Sequence, residues 1–176
     1  MPAGGRRISL KGRALRYLAQ REHSRAELRR KLAPYAAEAC AATGEGAERA
    51  IEEGDPVDLD PGPCLDKLLE WLEEHGLLSE ERFAEGRIRV RSARFGVARI
   101  SHELAQLGVA LQPVQRTELE QSEFERAYEA WRRKFGGQLP SDERDRARHG
   151  RFLQSRGFSP DVCRRILRGQ VPATPS

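Results

Sequence analysis

Lysine, cysteine and long apolar runs are all scarce in this chain, and each scarcity excludes something. The three cysteines, Cys40, Cys64 and Cys163, are scattered and odd in number. With no CxxC pair they support neither a disulfide framework nor a zinc site. No apolar stretch approaches a membrane span, and the first residues carry no signal-peptide core. A soluble, reduced, cytoplasmic protein without membrane contact is expected. No GxxxxGKS or GxxxxGKT loop is present, so no nucleotide site is expected, and Gly96 and Gly108 read as punctuation of helix ends. His23, His75, His102 and His149 lie far apart, with no HExxH spacing, and read as helix-end or surface residues. Acids are plentiful, but none stands beside a nucleophile in a recognisable pattern. The expectation is therefore no catalytic residue, no metal, no cofactor and no enzyme. Sustained period-two alternation is also missing, which excludes a β-rich fold and leaves an all-α one.

What is present is charge. Charged residues make up 33% of the chain and apolar residues only 38%, a balance better suited to thin helical layers than to a thick central core. Arginine outnumbers lysine by 27 to 4, and arginine suits planar two-pronged contacts with carboxylate and phosphate. The net charge of +4 is unevenly spread: residues 1–35 carry +8, 36–60 carry −7, 61–125 carry −4 and 126–176 carry +7. Basic ends around an acidic middle suggest contact with a polyanion, an acidic protein surface, or both.

Helix signals recur along the chain. Ser24–Glu27 ("SRAE") and Ser122–Glu125 ("SEFE") have the spacing of capping boxes. Ser159 precedes Pro160 as a cap precedes a first-turn proline, and Ser79 precedes two glutamates suited to a helix start. Gly76, Gly108 and Gly157 each follow an amphipathic run, where a left-handed glycine ends a helix. These marks predict helices at about 9–21, 24–34, 62–75, 79–94, 97–107, 113–121, 123–135, 141–156 and 160–168. Leu65, Leu68, Leu69 and Leu72 form one stripe, Val97, Ile100, Leu104 and Leu107 another, and Val162, Cys163, Ile166 and Leu167 a third. Phe83, Trp71 and Trp131 read as core anchors. Ala36–Gly62 is rich in Ala, Gly, Glu, Asp and Pro and reads as a mobile acidic loop, with at most a marginal helix near 46–53. Residues 169–176 read as a disordered tail.

The helices repeat. Leu28, Leu32, Ala36 and Ala37 have spacings matched by Ile100, Leu104, Gly108 and Val109, and again by His149, Leu153, Gly157 and Phe158. Each set follows one helix and precedes another, which divides the chain into three-helix units at 9–75, with the acidic insertion 36–61, at 79–121 and at 122–168.

Three stretches carry a family resemblance: "ALRYLAQREHSRAELRRKL" (Ala14–Leu32), "LEWLEEHGLLSEERFAEGRIRVRSARFGVARISHELAQLGV" (Leu69–Val109) and "RFLQSRGFSPDVCRRIL" (Arg151–Leu167). From about Leu10 to Arg168 the chain resembles the RecX family, bacterial regulators of the recombinase RecA. The resemblance implies three tandem three-helix repeats in an elongated, curved molecule. It further implies a monomer that lies along the groove of the RecA–DNA filament and opposes strand exchange, ATP hydrolysis and coprotease activity. DNA repair and the SOS response would be affected, and weak, nonspecific contact with single- or double-stranded DNA is implied as well. The sequence departs from the family pattern in its long acidic insertion and in Ala36, where the other two units have glycine.

Three basic patches are candidates for contact with filament or DNA. Arg25, Arg29 and Arg30, with Lys31, lie on the second predicted helix. Arg87, Arg91 and Arg94 share a predicted helical face, with Arg99 just beyond and Arg82 and Arg89 in the same run. Arg144, Arg148 and Arg151, with Arg146, form the third. The bland alternative for each is a solvated helix face. The alternative function is a freestanding DNA-binding protein of helix-turn-helix type using 79–94 and 97–107, although only Arg99 and His102 there could reach base edges. A generic helical scaffold with another partner is a third reading.

Overall fold

A computed structural model describes residues 8–42 and 62–172. Among them are nine α-helices and no strand: α1 (Leu10–Leu18), α2 (Arg25–Ala42), α3 (Gly62–Glu74), α4 (Glu80–Ser92), α5 (Val97–Gln106), α6 (Pro113–Gln121), α7 (Glu123–Phe135), α8 (Glu143–Ser155) and α9 (Pro160–Leu167). The all-α class expected from the sequence is the class observed. The chain forms two compact units, Met1–Phe83 and Ala84–Ser176.

In the first unit α2 packs on both α1 and α3. Ser9 caps α1 by accepting the Gly12 N–H at 3.1 Å. Leu10 and Ala14 of α1, Leu28, Leu32 and Ala36 of α2, and Leu65, Leu69 and Leu72 of α3 form one core. The sequence pattern ends α2 at residue 34, but the helix runs through Pro34 to Ala42. Proline removes one backbone bond and crowds the preceding turn, a cost of about 3 kcal/mol. Two features offset it. Leu28, Leu32 and Ala36 are fully buried on both sides of the proline, and the alanine-rich run after it has the highest intrinsic helix propensity. Residues 36–42 are therefore helix rather than loop. The rest of the expected acidic loop, 43–61, the marginal helix near 46–53 and the end of the expected tail fall outside the described residues. Gly76 closes α3 with φ +64°, as its position predicts.

In the second unit α5 packs on α6, α6 on α7, and α7, α8 and α9 on one another. Phe124, Ala127, Trp131, Leu153, Phe158, Val162, Cys163 and Ile166 share a core. Val97, Ile100 and Leu104 of α5 are buried. Two positions of the sequence repeat have the same backbone device. The Val109 N–H donates to the Leu104 carbonyl at 3.0 Å across left-handed Gly108, and the Phe158 N–H donates to the Leu153 carbonyl at 3.3 Å across left-handed Gly157. At the corresponding place in the first unit α2 simply continues, so Ala36 meets no demand for positive φ.

The caps divide. Ser159 accepts the Val162 N–H and Ser79 the Arg82 N–H, as expected. Ser24 accepts the N–H of Glu27 at 3.1 Å, one half of the expected box. The Glu27 carboxylate pairs with Arg21 and lies 3.1 Å from Nδ1 of His23. Ser122 caps nothing with its side chain, and its hydroxyl donates to the Glu118 carbonyl at 3.0 Å. Phe83 and Trp131 are buried, and Trp71 is half-buried beneath the Lys11 ammonium. His23 and His149, expected near the surface, are buried at 1% and 3% exposure; His75 and His102 are exposed.

Candidate functional site

The three expected basic patches differ in how much of their charge is already neutralised. On α2, Arg25 pairs with Glu73 and lies 3.8 Å from Asp66, while Arg29 pairs with the same Asp66. Those acids belong to α3, so the contacts join two helices. Arg30 is exposed, and Lys31 lies over the Tyr17 ring at 4.9 Å. On α8, Arg144, Arg146 and Arg151 are exposed, and Arg148 pairs with Asp145 at 3.2 Å.

The middle patch is reorganised. α4 ends at Ser92, so Arg94 lies in the turn beyond it and does not continue the helical face of Arg87 and Arg91. Arg87 is exposed. Arg91 turns toward α5 and grips Glu103 with two donors, Nε to Oε2 at 2.7 Å and Nη2 to Oε1. Arg99 donates to the same carboxylate at 3.2 Å. These hydrogen bonds, Arg91 first, hold the Glu103 carboxyl below its ordinary value, and Glu103 in turn raises the Arg91 guanidinium above its own.

The half-buried ring of Phe95 organises the cluster. The guanidinium carbons of Arg91, Arg99 and Arg156 lie 4.2, 4.6 and 5.7 Å from its centroid. Backbone carbonyls fix the arginines further. Arg99 donates to Ser155 at 3.0 Å, Arg156 to Arg94 at 3.1 Å, and Arg133 to Ala93 at 3.0 Å. Burial, followed by the like charges of Arg94, Arg133 and Arg99, pushes the Arg156 guanidinium below its ordinary value. Four arginines thus bear on one another at one place.

A half-buried frame supports this cluster. Arg126 donates to the carbonyls of Ser92 at 2.8 Å, Phe95 at 2.7 Å and Leu119 at 2.7 Å, and burial lowers its pKa. Gly96 and Gly157 cross in contact, the Gly96 N–H donating to the Arg156 carbonyl at 2.9 Å. Burial raises the Cys163 thiol to about 11, which keeps it protonated and unreactive.

Of the candidates read from the sequence, the fold brings Arg91, Arg94 and Arg99 together and leaves Arg25, Arg29 and Arg30 in the first unit and Arg144, Arg148 and Arg151 on α8. Arg133, Arg156, Phe95 and Glu103 were not singled out as contributors. One signal was available: Arg156 immediately precedes Gly157, the repeat glycine that stops α8. Among the described residues no group of acids, histidines and cysteines has the arrangement of a metal site. No described helix is long and apolar enough to cross a membrane.

Two family models match this chain: the first three-helix domain of RecX over residues 11–36 and the third three-helix domain of RecX over residues 121–167. A regulatory protein RecX from Leptothrix cholodnii is 46% identical over 168 residues, covering 92% of this chain and 88% of the relative. A regulatory protein RecX from Ralstonia nicotianae is 41% identical over 164 residues, with 92% and 88% coverage. A crystal structure of RecX from Lactobacillus salivarius superposes with a TM-score of 0.60 at 17% identity, over 91% of this chain and 93% of that one, and shares its fold. With identity of this degree running nearly end to end through both relatives, the chain belongs to the RecX family of regulatory proteins.

Proposed function

We propose that this protein regulates the RecA recombinase by binding the RecA–DNA filament, where it opposes strand exchange, ATP hydrolysis and coprotease activity and so affects DNA repair and the SOS response. It acts as a cytoplasmic monomer, by occupying surface rather than by chemistry. The observation that carries the reading is the arginine cluster around Phe95, where Arg91, Arg94, Arg99, Arg133 and Arg156 converge on a surface to which one carboxylate, Glu103, is paired. A nucleoprotein filament is a repeating polyanion, and linked contacts along it raise the effective concentration of each successive one. Family membership supports the same partner.

The helix-turn-helix alternative receives less support. Arg99, the main candidate base reader on α5, is committed to Glu103 and the Ser155 carbonyl, and His102 lies 3.0 Å from Gln106 on its own helix. The test is RecA ATP hydrolysis on single-stranded DNA, with RecA from the same species. Inhibition at or below equimolar protein supports the proposal; unchanged hydrolysis across that range overturns it.

A further inference from the structure

The arginine cluster contains its own anion. Glu103 projects from α5 into the space between Arg91 and Arg99, and its side chain is 26% exposed, so solvent and ligands can reach it. Arg91 uses two donors on that carboxylate and Arg99 uses one. A guanidinium has five donors, and its fork fits a phosphate oxygen pair as well as it fits a carboxylate. The anchoring bonds of Arg99, Arg133 and Arg156 to backbone carbonyls leave further donors on each and hold the planes in place before any ligand arrives.

We propose that the cluster of Arg91, Arg94, Arg99, Arg133 and Arg156 around Phe95 is a binding site for the phosphodiester backbone of nucleic acid, and that Glu103 is its resident competitor, a carboxylate that an incoming phosphate displaces. The proposal rests on the reading of this chain as a partner of a nucleoprotein filament and names the group that part of its surface meets. Charge density favours nucleic acid over an acidic protein. The guanidinium carbons of Arg91, Arg99 and Arg156 lie 4.2 to 5.7 Å from the centroid of one ring, and cations gathered this closely call for a ligand with similarly close negative charges. A nucleic-acid strand carries one charge about every 3.4 Å. The contact is to backbone and carries no sequence information, because the Phe95 ring is already engaged by Arg91 and Arg99, with guanidinium carbons 4.2 and 4.6 Å from its centroid, rather than presented for stacking a base.

Glu103 then sets the affinity. In the free protein it neutralises the charge a phosphate would use. Replacing it with the uncharged isostere removes the competitor while keeping an acceptor for Arg91. The experiment is fluorescence anisotropy of a labelled oligonucleotide, single-stranded and duplex, with the full chain and no RecA, over about 50 to 200 mM salt. Glu103→Gln is expected to tighten binding about three- to tenfold at the low-salt end and to steepen the slope of log affinity against log salt by about one. Arg94→Ala, at an exposed turn position, is expected to weaken binding and flatten the slope by about one. Arg29→Ala, in the other unit and paired to Asp66, should change neither.

Affinity unchanged or weakened in folded Glu103→Gln overturns the competitor, and unchanged affinity in Arg94→Ala overturns the site. Should Glu103→Gln fail to fold, Arg94→Ala alone decides the site. If Arg94→Ala loosens binding to DNA-free RecA but not to the oligonucleotide, the ligand is an acidic protein surface and the proposal is wrong. Expected shifts in oligonucleotide binding without any inhibition of RecA by the wild type would leave the site standing and remove the filament reading. Intact RecA inhibition with no shift in oligonucleotide binding would do the reverse.

Discussion

The carboxylate of Glu123 accepts the backbone N–H of Val97, the first residue of α5, at 2.9 Å. Its other oxygen lies 3.3 Å from the N–H of Ser159, the cap residue of α9. Glu123 is 4% exposed, so one buried acid serves the starts of two helices remote from it in sequence. Helix starts leave N–H groups without intrahelical partners, and Gly96, the residue before α5, has no side chain with which to cap it.

Glu123→Ala is therefore expected to destabilise the protein by about 2–4 kcal/mol, because one buried and one part-buried donor lose a charged acceptor at once. At this chain length the melting temperature would fall by roughly 5–10 °C. Glu123→Gln keeps an acceptor oxygen and should cost less. Thermal melts of both variants check the order; a loss below about 1 kcal/mol for alanine would show that water replaces the carboxylate.

Gly96 and Gly157 predict a contrast with a third glycine. A Cβ on Gly96 would lie 2.1 Å from the Gly157 carbonyl oxygen and 2.5 Å from the Phe158 Cα. A Cβ on Gly157 would meet Arg99 Cβ at 2.5 Å, at a backbone φ of +78°. No side-chain rotation relieves contacts with backbone, so Gly96→Ala should cost more than about 2 kcal/mol. Gly86 lies inside α4 with open space around it. Gly86→Ala should stabilise by about 0.5–1 kcal/mol, through intrinsic helix propensity alone. Denaturant midpoints of the two alanine variants moving in the same direction would contradict this account.

These two sites mark the limit of what the sequence discloses. Features set by a few neighbouring residues were legible: the apolar stripe of α5, the Ser159–Pro160 start of α9, and the left-handed glycines at 76, 108 and 157. The extension of α2 past Pro34 was not, because burial of Leu32 and Ala36 against other helices outweighs a local breaker. Nor was the role of Glu123. It follows a serine in a capping-box pattern, yet its acceptors are used 26 and 36 residues away. The candidate site was legible only in part for the same reason. Arg133 reaches a carbonyl 40 residues back and Arg156 one 62 residues back. Whether an arginine is neutralised, as Arg25 is by Glu73, depends on a partner that no local pattern identifies.

Acid should weaken the fold through its two buried histidines. The Trp131 indole N–H donates to Nδ1 of His149 at 3.1 Å, which requires that nitrogen to be unprotonated. Burial, followed by the Arg148 charge, lowers the His149 pKa from 6.5, with Asp145 opposing. Burial likewise lowers His23. A histidine held below its ordinary value takes up its proton less readily folded than unfolded. The stability it contributes is complete above pH 6.5 and is lost as the pH falls through the folded value. Urea midpoints should therefore decline from about pH 7 to pH 5. His149→Gln, which retains an acceptor for Trp131, should show a shallower decline, the remainder coming from His23. Identical declines in wild type and variant would exclude His149 as a source.

The basic residues should separate into two classes in a regulation assay. Arg25 and Arg29 hold α2 to α3 through Glu73 and Asp66, at side-chain exposures of 30% and 46%. Partly exposed pairs of this kind contribute about 0–1 kcal/mol each. Alanine at both positions should lower stability slightly and leave inhibition of RecA ATP hydrolysis near the wild-type level. Arg94 and Arg133 surround a site whose charge is in excess. Reversal of both to glutamate removes two positive and adds two negative charges where a polyanion would dock. That variant should lose inhibition by tenfold or more in the protein concentration required, a change of about 1.4 kcal/mol or greater in apparent affinity. The loss should shrink as salt is raised, because screening acts on exposed charges first. If the Arg25 and Arg29 double variant proves the more defective regulator while still folded, the working surface belongs to the first unit, and the cluster around Phe95 is only a structural knot.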